Sequence, residues 1–206
     1  MSLFAAAPLP VAVLDDAQRF ACLRLIRSDN VGPVTFRELI NHYGGAEAAL
    51  DALPDLARRG GNRARIRITP KADAERELER AARVGTRPLF TIEPGYPPAL
   101  AAIDAPPPLV YVKGDVALTG RPAVAIVGSR QASAAGHKLT RLFAHTIAAA
   151  GYVIVSGLAR GIDAIAHEAS LASGTIAVVA GGVDIIYPPE NAALHAAIAE
   201  RGTLLS

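Results

Sequence analysis

The second half of this 206-residue sequence alternates between short apolar strands and helices, and this alternation limits the possible folds more than any other feature. Strands are predicted at 124–127, 152–155 and 175–179, with another beginning at Thr203, and helices at 133–150, 161–173 and 189–201. Short apolar strands separated by helices of this length form parallel sheets with right-handed crossovers. The predicted fold class is α/β, with a Rossmann-like parallel sheet.

The first part of the chain is predicted to be helical. Asp15 and Asp16 cap a helix through Arg27, and Gly32–Pro33 opens another over Val34–Tyr43. Further helices are predicted at 46–52, 54–59 and 71–84. A proline-rich connector follows, in which 89–92 and 109–112 are predicted strands of the Rossmann-like domain. We place three segments at 1–86 (helical), 87–122 (connector) and 123–206 (Rossmann-like), with the domain boundary near residue 86.

Composition excludes several classes of protein. Hydrophobic residues make up 51% of the chain, which supplies a packed core. The single cysteine, Cys22, excludes an internal disulfide framework and lies in an apolar helical stretch, where a buried structural thiol is expected. No apolar run is long enough to span a membrane, and the N-terminus lacks a basic leader. A cytoplasmic protein without a membrane partner is expected.

The net charge of +2 hides a local basic run between Ala57 and Ala72 that contains no acidic residue. It is a candidate auxiliary contact with a polyanion, and an ordinary solvated loop and helix start explains it equally well. Its candidate residues are Arg58, Arg59, Arg63, Arg65 and Arg67.

The turn from Asn30 to Pro33 joins two predicted helices and is similar to a helix-hairpin-helix turn, in which backbone amides meet a DNA phosphate. The usual motif has two glycines spaced by one residue, and Pro33 here removes a backbone N–H. A packing or protein-contact module is therefore favoured over a DNA-contacting hairpin.

Three glycine-containing turns follow the predicted strands, at the sheet edge where such folds bind ligands. The first holds Gly128, Ser129 and Arg130. The glycine permits a tight turn, the serine supplies a hydroxyl donor, and the arginine supplies a guanidinium suited to phosphate. A plain strand-to-helix turn with an exposed arginine is the alternative.

The second turn, 156–163, sets Gly157 and Gly161 on either side of Arg160, at the rim of a loop that can bring backbone amides to a ligand. Asp163 lies four residues before His167, so the two share a helix face. Acid–base catalysis by this pair requires a nucleophile or scissile bond nearby, and the sequence offers neither. For Asp163 and His167, a structural role in capping the helix and shaping the site is favoured over catalysis.

The third turn brings Gly182, Asp184, Tyr187 and Asn191 to the mouth of the same edge. The glycine clears space, and the tyrosine ring offers a surface on which a base can stack. A helix-initiating turn without ligand contact is the alternative. No residue set here predicts a catalytic group, a metal site or a bound cofactor.

A dinucleotide cofactor fits these turns poorly. The G-x-G-x-x-G fingerprint is absent after the first strand, where Gly128 is followed by Ser129 and Arg130. Ser156 occupies the end of the second strand, where a ribose-binding acid belongs. These residues therefore argue against an NAD-dependent enzyme.

In combination, these motifs resemble the signature of the DNA-processing protein A family (DprA, also called Smf). The resemblance rests on 125–130, on 155–163 with Ala166–His167, on Gly182 and Asp184, on Tyr187–Pro188 with Asn191, and, in the connector, on Tyr96–Pro97 and 109–114. It covers about 20–206.

The resemblance implies a bacterial cytoplasmic protein that binds single-stranded DNA, protects it, and loads the RecA recombinase during natural transformation. It also implies a non-enzymatic protein, a homodimer at full length, and a sterile-alpha-motif-like helical domain ahead of an extended Rossmann-like domain. By the same resemblance, DNA phosphate lies against the first turn and its neighbours, namely Gly128, Ser129, Arg130, Ser156 and Gly157. Arg160 and Gly161 of the second turn are added to these candidate phosphate contacts.

Two further expectations remain open. The family's Rossmann domain extends further than this chain, so the sheet is expected to be truncated at its C-terminal side. The alternative function is a nucleotide-hydrolysing Rossmann enzyme similar to the lysine decarboxylase-like phosphoribohydrolases, which share a similar first turn. Those enzymes need a proline–two-glycine loop with a downstream glutamate, and no such loop occurs in these residues.

Overall fold

The structure is a computed structural model that describes residues 11–59 and 66–206. The chain divides into two compact units. The first comprises the chain up to Arg83 with 88–96 and 100–110, and the second comprises 84–87, 97–99 and 111–206. Within the described ranges, no helix combines the length and apolar character needed to cross a membrane.

Four helices build the first unit: α1 (Asp16–Arg27), α2 (Pro33–Tyr43), α3 (Ala46–Arg59) and α4 (Lys71–Arg83). A capping box starts α1, because Asp15 accepts from the Gln18 amide at 2.8 Å and the Gln18 side chain accepts from the Asp15 amide at 2.9 Å. Gly44 ends α2 with a φ of 76°, a left-handed conformation that favours glycine.

The prediction of two short helices divided at Pro54 is wrong. Helix α3 runs without a break from Ala46 to Arg59, with Pro54 inside it. A proline inside a helix costs about 3 kcal/mol because it removes a hydrogen bond and crowds the preceding turn. Ala49, Leu50 and Leu53 are all buried in the core of this unit, and their burial offsets that cost.

The core of the first unit is formed by apolar side chains from its helices and from the connector. Leu23, Leu25, Phe36 and Phe90 are completely inaccessible to solvent. Cys22 is a free buried thiol, and burial raises its pKa to about 12. The expectation of a buried structural thiol is therefore confirmed.

Six strands form the sheet: β1 (Arg87–Phe90), β2 (Leu109–Gly114), β3 (Ala123–Ala125), β4 (Val153–Ser156), β5 (Thr175–Val178) and β6 (Thr203–Leu205). Their order is β1-β2-β6-β5-β4-β3. Strands β3 to β6 are parallel, whereas β2 runs antiparallel to β6. The α/β fold with a helical first part is confirmed, and the connector strands make the sheet mixed.

Four helices lie between consecutive strands along the chain: α5 (Pro98–Ala101), α6 (Ala134–Ala149), α7 (Ile162–Ser170) and α8 (Ala192–Arg201). Helix α7 packs against both α6 and α8. Ala144 and Ala148 of α6 are buried with Ile154 of β4 and Ala166 of α7. These small side chains let α6 and α7 pack closely against the sheet.

Strand β3 ends at Ala125, two residues earlier than predicted. The Ile126 amide still donates to the Val155 carbonyl at 2.9 Å, after which the chain leaves the ladder. The predicted strand residue Val127 is 76% exposed, so it belongs to the approach to the first turn.

Candidate functional site

Three turns meet at the carboxyl edge of adjacent parallel strands. We call them the first turn (128–130, after β3), the second turn (156–163, after β4) and the third turn (181–187, after β5). Because β3, β4 and β5 are hydrogen-bonded neighbours, the three turns stand side by side. This edge is also where α6 and α7 begin, so the positive ends of two helices face it.

The first and second turns are pressed together through their glycines. A side chain on Gly161, whose φ is +75°, would collide with the carbonyl oxygen of Ser129. A Cβ on Gly128 would lie 2.7 Å from the Cγ1 atom of Ile162. The Ile162 amide donates to the Ser129 carbonyl at 3.2 Å, which joins the start of α7 to the first turn. Only glycine at both positions allows this approach.

Internal hydrogen bonds already use several polar groups of the second turn. The buried Ser156 hydroxyl donates to the Ile126 carbonyl at 2.6 Å. One oxygen of the buried Asp163 carboxylate accepts from the Gly157 amide at 3.2 Å and from the Ala159 amide at 3.4 Å. These hydrogen bonds hold the turn in shape. The Ser156 hydroxyl and the Gly157 and Ala159 amides donate to groups of the protein itself.

His167 lies beneath the second turn and is completely buried. Its Nδ1 is 2.8 Å from the Thr175 hydroxyl, which itself donates to the Ile154 carbonyl at 2.7 Å. Nδ1 therefore carries the proton, and Nε2 is left without a hydrogen-bond partner among the described residues. Burial lowers the pKa of His167 to about 4, although the Asp163 carboxylate opposes that shift.

The two arginines at this edge differ in their partners. Arg130 is exposed, and its side chain makes no hydrogen bond or ion pair within the part of the chain that the structure describes. Arg160 instead lies 2.7 Å from a carboxylate oxygen of Glu190, with both side chains more than half exposed. The pKa of Glu190 is lowered, chiefly by a hydrogen bond from its own backbone amide and to a smaller extent by the hydrogen bond from Arg160.

The segment that follows the third turn is tied to the second turn by Asn191. Its side-chain amide donates to the Leu158 carbonyl at 2.9 Å and to the Ala159 carbonyl at 3.2 Å. Leu158 has a φ of 57°, an uncommon conformation that these bonds stabilise. Gly182 leaves room for the exposed Asp184 carboxylate, because a Cβ there would lie 2.6 Å from Asp184 Oδ1.

The first turn is suited to an anion. Ser129 Oγ accepts from the Gln131 amide at 3.1 Å, so its own proton remains available for a ligand. The Ser133 side chain caps α6 by accepting from the Gly136 amide at 3.2 Å. A free hydroxyl, an exposed guanidinium and a helix N-terminus are the groups that bind phosphate.

The basic run is only partly described. Arg58 pairs with Asp55, and Arg67 lies 3.2 Å from Asp73. Arg63 and Arg65 lie outside the described residues, and the side chain of Arg59 is not described. The auxiliary patch therefore stays a prediction.

Sequence reasoning missed the residues that hold the turns together. Ile162 packs against Gly128, Glu190 pairs with Arg160, and Thr175 orients His167. All three interactions join separate strands or turns, so no local pattern marks them. In residues 11–59 and 66–206, no group of three or more His, Cys, Asp or Glu side chains is arranged to hold a metal ion.

Two family models match the sequence. The model of DNA recombination-mediator protein A matches residues 87–206, and the model of the DprA-like N-terminal HHH domain matches residues 16–81. The first match contains all three turns.

Curated relatives carry the names Smf and DprA. Protein Smf of Synechocystis is 35% identical over 189 residues, which cover 85% of this chain and 47% of the relative. The DNA processing protein DprA of Bacillus subtilis is 43% identical over 114 residues, which cover 54% of this chain and 38% of the relative. The chain thus spans less than half the length of these two proteins.

Two solved structures are similar to this fold. DNA processing protein A from Streptococcus pneumoniae has a TM-score of 0.60 and 34% identity, covering 67% of this chain and 47% of that one. DNA processing protein A from Helicobacter pylori has a TM-score of 0.52 and 36% identity, covering 59% and 54%. The latter structure was described for its unique single-stranded DNA binding mode.

Proposed function

The chain belongs to the DNA recombination-mediator protein A family, and on that premise we propose that it binds single-stranded DNA through phosphate contacts at the first turn. The observation that carries the proposal is the exposed, unpartnered Arg130 beside the free Ser129 hydroxyl at the N-terminus of α6. The single-stranded DNA binding described for the Helicobacter pylori protein supports the choice of ligand.

Within this proposal, the site residues have two roles. Gly128, Ser129 and Arg130 contact phosphate, and Arg160 contacts a second phosphate when it leaves Glu190. Ser156, Gly157 and Gly161 hold the backbone in the shape that accepts the strand. The inward amides of the second turn leave the first turn as the main anion contact.

The remaining parts of the proposal rest on the family. We place the protein in the cytoplasm, where it protects incoming DNA and loads RecA during natural transformation, and we propose a homodimer for the full-length protein. Residues 1–86 form its helical domain and 87–206 its Rossmann-like part, and the two family matches support a boundary near residue 86.

We also propose that the protein is not an enzyme. Asp163 and His167, the one acid–base pair that the sequence suggested, are both buried and engaged within the protein. Incubation with AMP is expected to release no free adenine. Release of adenine at a rate proportional to protein concentration would instead favour the phosphoribohydrolase alternative.

A titration against single- and double-stranded oligonucleotides at two salt concentrations tests the function. Fluorescence anisotropy is expected to show tighter binding to the single strand, with an affinity that falls steeply as salt rises because phosphate contacts release counterions. Equal affinity for both forms, or binding unaffected by salt, would contradict the proposal.

A further inference from the structure

The third turn exposes three consecutive large apolar side chains. Ile185 is 57% exposed, Ile186 is 45% exposed and Tyr187 is 67% exposed. Single exposed apolar residues are common on protein surfaces, whereas a contiguous exposed group of them is a candidate binding surface. We call 185–187 the apolar tip of the third turn.

The turn is anchored firmly beneath this tip. Val183 is buried in the core of the second unit, and its carbonyl accepts from the Nε2 atom of the buried His195 at 2.9 Å. The Ile185 amide donates to the Gly182 carbonyl at 2.8 Å, and the Ser206 hydroxyl donates to the Gly181 carbonyl at 2.6 Å. Exposure of the tip is therefore imposed by a fixed backbone.

The charge around the tip does not favour phosphate. Asp184 immediately precedes it and is exposed, and Glu190 follows it closely. These carboxylates contrast with the cationic first turn, two strands away along the same edge. Neighbouring strands are about 4.8 Å apart, so β3 and β5 are separated by about 10 Å. A short stretch of extended single-stranded DNA crosses that distance, with its phosphates at the cationic first turn.

We propose that Ile185, Ile186 and Tyr187 form a platform for unpaired nucleobases of the strand whose phosphates lie on the first turn. The inference rests on the proposed function and adds to it the origin of the preference for single strands. In a duplex the bases are paired and stacked inside, so an apolar surface beside the phosphate track cannot reach their faces. Base contacts of this kind tolerate any sequence, because every base has a stacking face.

Binding of oligothymidylate and of an abasic oligonucleotide of equal length, both by the 206-residue chain, tests the platform. The unchanged chain is expected to bind the thymidylate strand at least about fivefold more tightly. Tyr187→Ala is expected to lose most of that preference, because it removes the ring on which a base stacks, and to leave the salt dependence unchanged, because no phosphate contact is lost. Ile185→Asn is a second variant, since its side chain is also more than half exposed and its loss leaves the core intact.

Tyr152→Ala is the matched control. Tyr152 is 43% exposed and precedes β4, so it lies at the opposite edge of the sheet from the three turns. It is expected to leave both affinities unchanged. Circular dichroism of each variant checks the fold.

The outcomes separate the platform from the function on which it rests. Equal binding of both strands by the unchanged chain, or a full preference retained in both Tyr187→Ala and Ile185→Asn, overturns the platform alone. No binding of either strand at low salt overturns the proposed function and the platform with it. Quenching of a 2-aminopurine base in the unchanged chain, lost in Tyr187→Ala, supports the platform directly.

Discussion

At the residue scale, Arg160 and Arg130 share one edge of the sheet but differ in how free they are to bind. Arg160 shares its charge with Glu190 at 2.7 Å, whereas Arg130 has no partner in the described ranges. An anion that approaches Arg160 must therefore compete with a carboxylate. Under the proposed function, Glu190 therefore limits what Arg160 contributes to DNA binding.

Removing that competition is expected to strengthen binding. Glu190→Gln frees Arg160, so the affinity for single-stranded DNA at low salt is expected to rise about two- to fivefold, as charge-assisted contacts of exposed groups are modest. Glu168→Gln is the matched control, because Glu168 faces Arg141 at 3.8 Å on the outside of α7. Equal gains from both substitutions would show a general charge effect and contradict the specific role of Glu190.

His167 makes stability depend on pH. Its pKa is lowered from 6.5 to about 4, so the unfolded chain binds more protons than the folded one between these values. The contribution of neutral His167 to stability is complete above pH 6.5 and is lost as the pH falls toward 4. Between pH 7 and pH 5 the free energy of unfolding is expected to fall by about 2 kcal/mol through this residue.

Urea unfolding followed by circular dichroism at both pH values measures this change. His167→Gln, which cannot titrate, is expected to lose most of the difference between pH 7 and pH 5 whatever its stability at pH 7. An unchanged difference in that variant would show that another group is responsible.

At the element scale, the glycines of the first two turns decide whether those turns can touch. Gly161 and Gly151 both have positive φ, at +75° and +92°, but only Gly161 has backbone atoms in the space that a Cβ would fill. The two positions therefore separate the cost of backbone strain from the cost of forcing the turns apart.

Substitution of these two glycines by alanine tests the contact. Gly151→Ala is expected to cost about 1 kcal/mol, the strain of a left-handed alanine. Gly161→Ala is expected to cost about 3 kcal/mol or more and to weaken DNA binding, because the first turn must move. Urea unfolding and anisotropy measure the two effects, and equal losses of stability would contradict the close contact.

Local patterns predicted most elements but not how the elements meet. The Asp15 cap, the glycine at the end of α2 and the alternation after Ala123 are short-range signals, and the structure has the predicted elements there. The sequence predicts a helix break at Pro54, but the helix continues because the burial of Leu50 and Leu53 outweighs the effect of a single proline. The antiparallel pairing of β2 with β6 joins residues about ninety positions apart, which periodicity does not reveal.

At the scale of the whole molecule, each unit has its own stabilising contacts. In the first unit, Arg19 donates to Glu93 Oε1 from Nε at 2.9 Å and from Nη2 at 2.7 Å, and the Phe90 amide donates to Glu93 Oε2 at 3.0 Å. Only 5% of the Glu93 side chain is exposed. The pair raises the pKa of Arg19, chiefly through its hydrogen bond with Glu93.

Loss of Arg19 is therefore expected to destabilise the first unit. Arg19→Ala leaves a nearly buried carboxylate without its cation, at a cost of about 2 kcal/mol, less than for a fully buried pair because Arg19 is partly exposed. Arg27→Ala, which affects the more exposed pair with Glu77, is expected to cost less than about 1 kcal/mol. Thermal unfolding of both variants measures the difference, and similar costs would contradict this ranking.

The two edges of the parallel strands differ in the groups that lie at them. The carboxyl edge has the three turns and the N-termini of α6 and α7, while Arg201 ends α8 at the amino edge, just before β6. Arg130 and Arg201 are both exposed, and neither side chain has a partner among the described residues. Their substitution changes the net charge equally at opposite ends of the strands.

Single-stranded DNA binding by Arg130→Ala and Arg201→Ala, measured by anisotropy across a salt series, tests the central claim most directly. Arg130→Ala is expected to weaken binding about tenfold at low salt for every sequence, and to reduce the slope of log affinity against log salt by about 0.7. Arg201→Ala is expected to change neither by more than about twofold, since it lies far from the phosphate track. Equal affinities of the two variants at low salt would contradict the assignment of the first turn as the phosphate site.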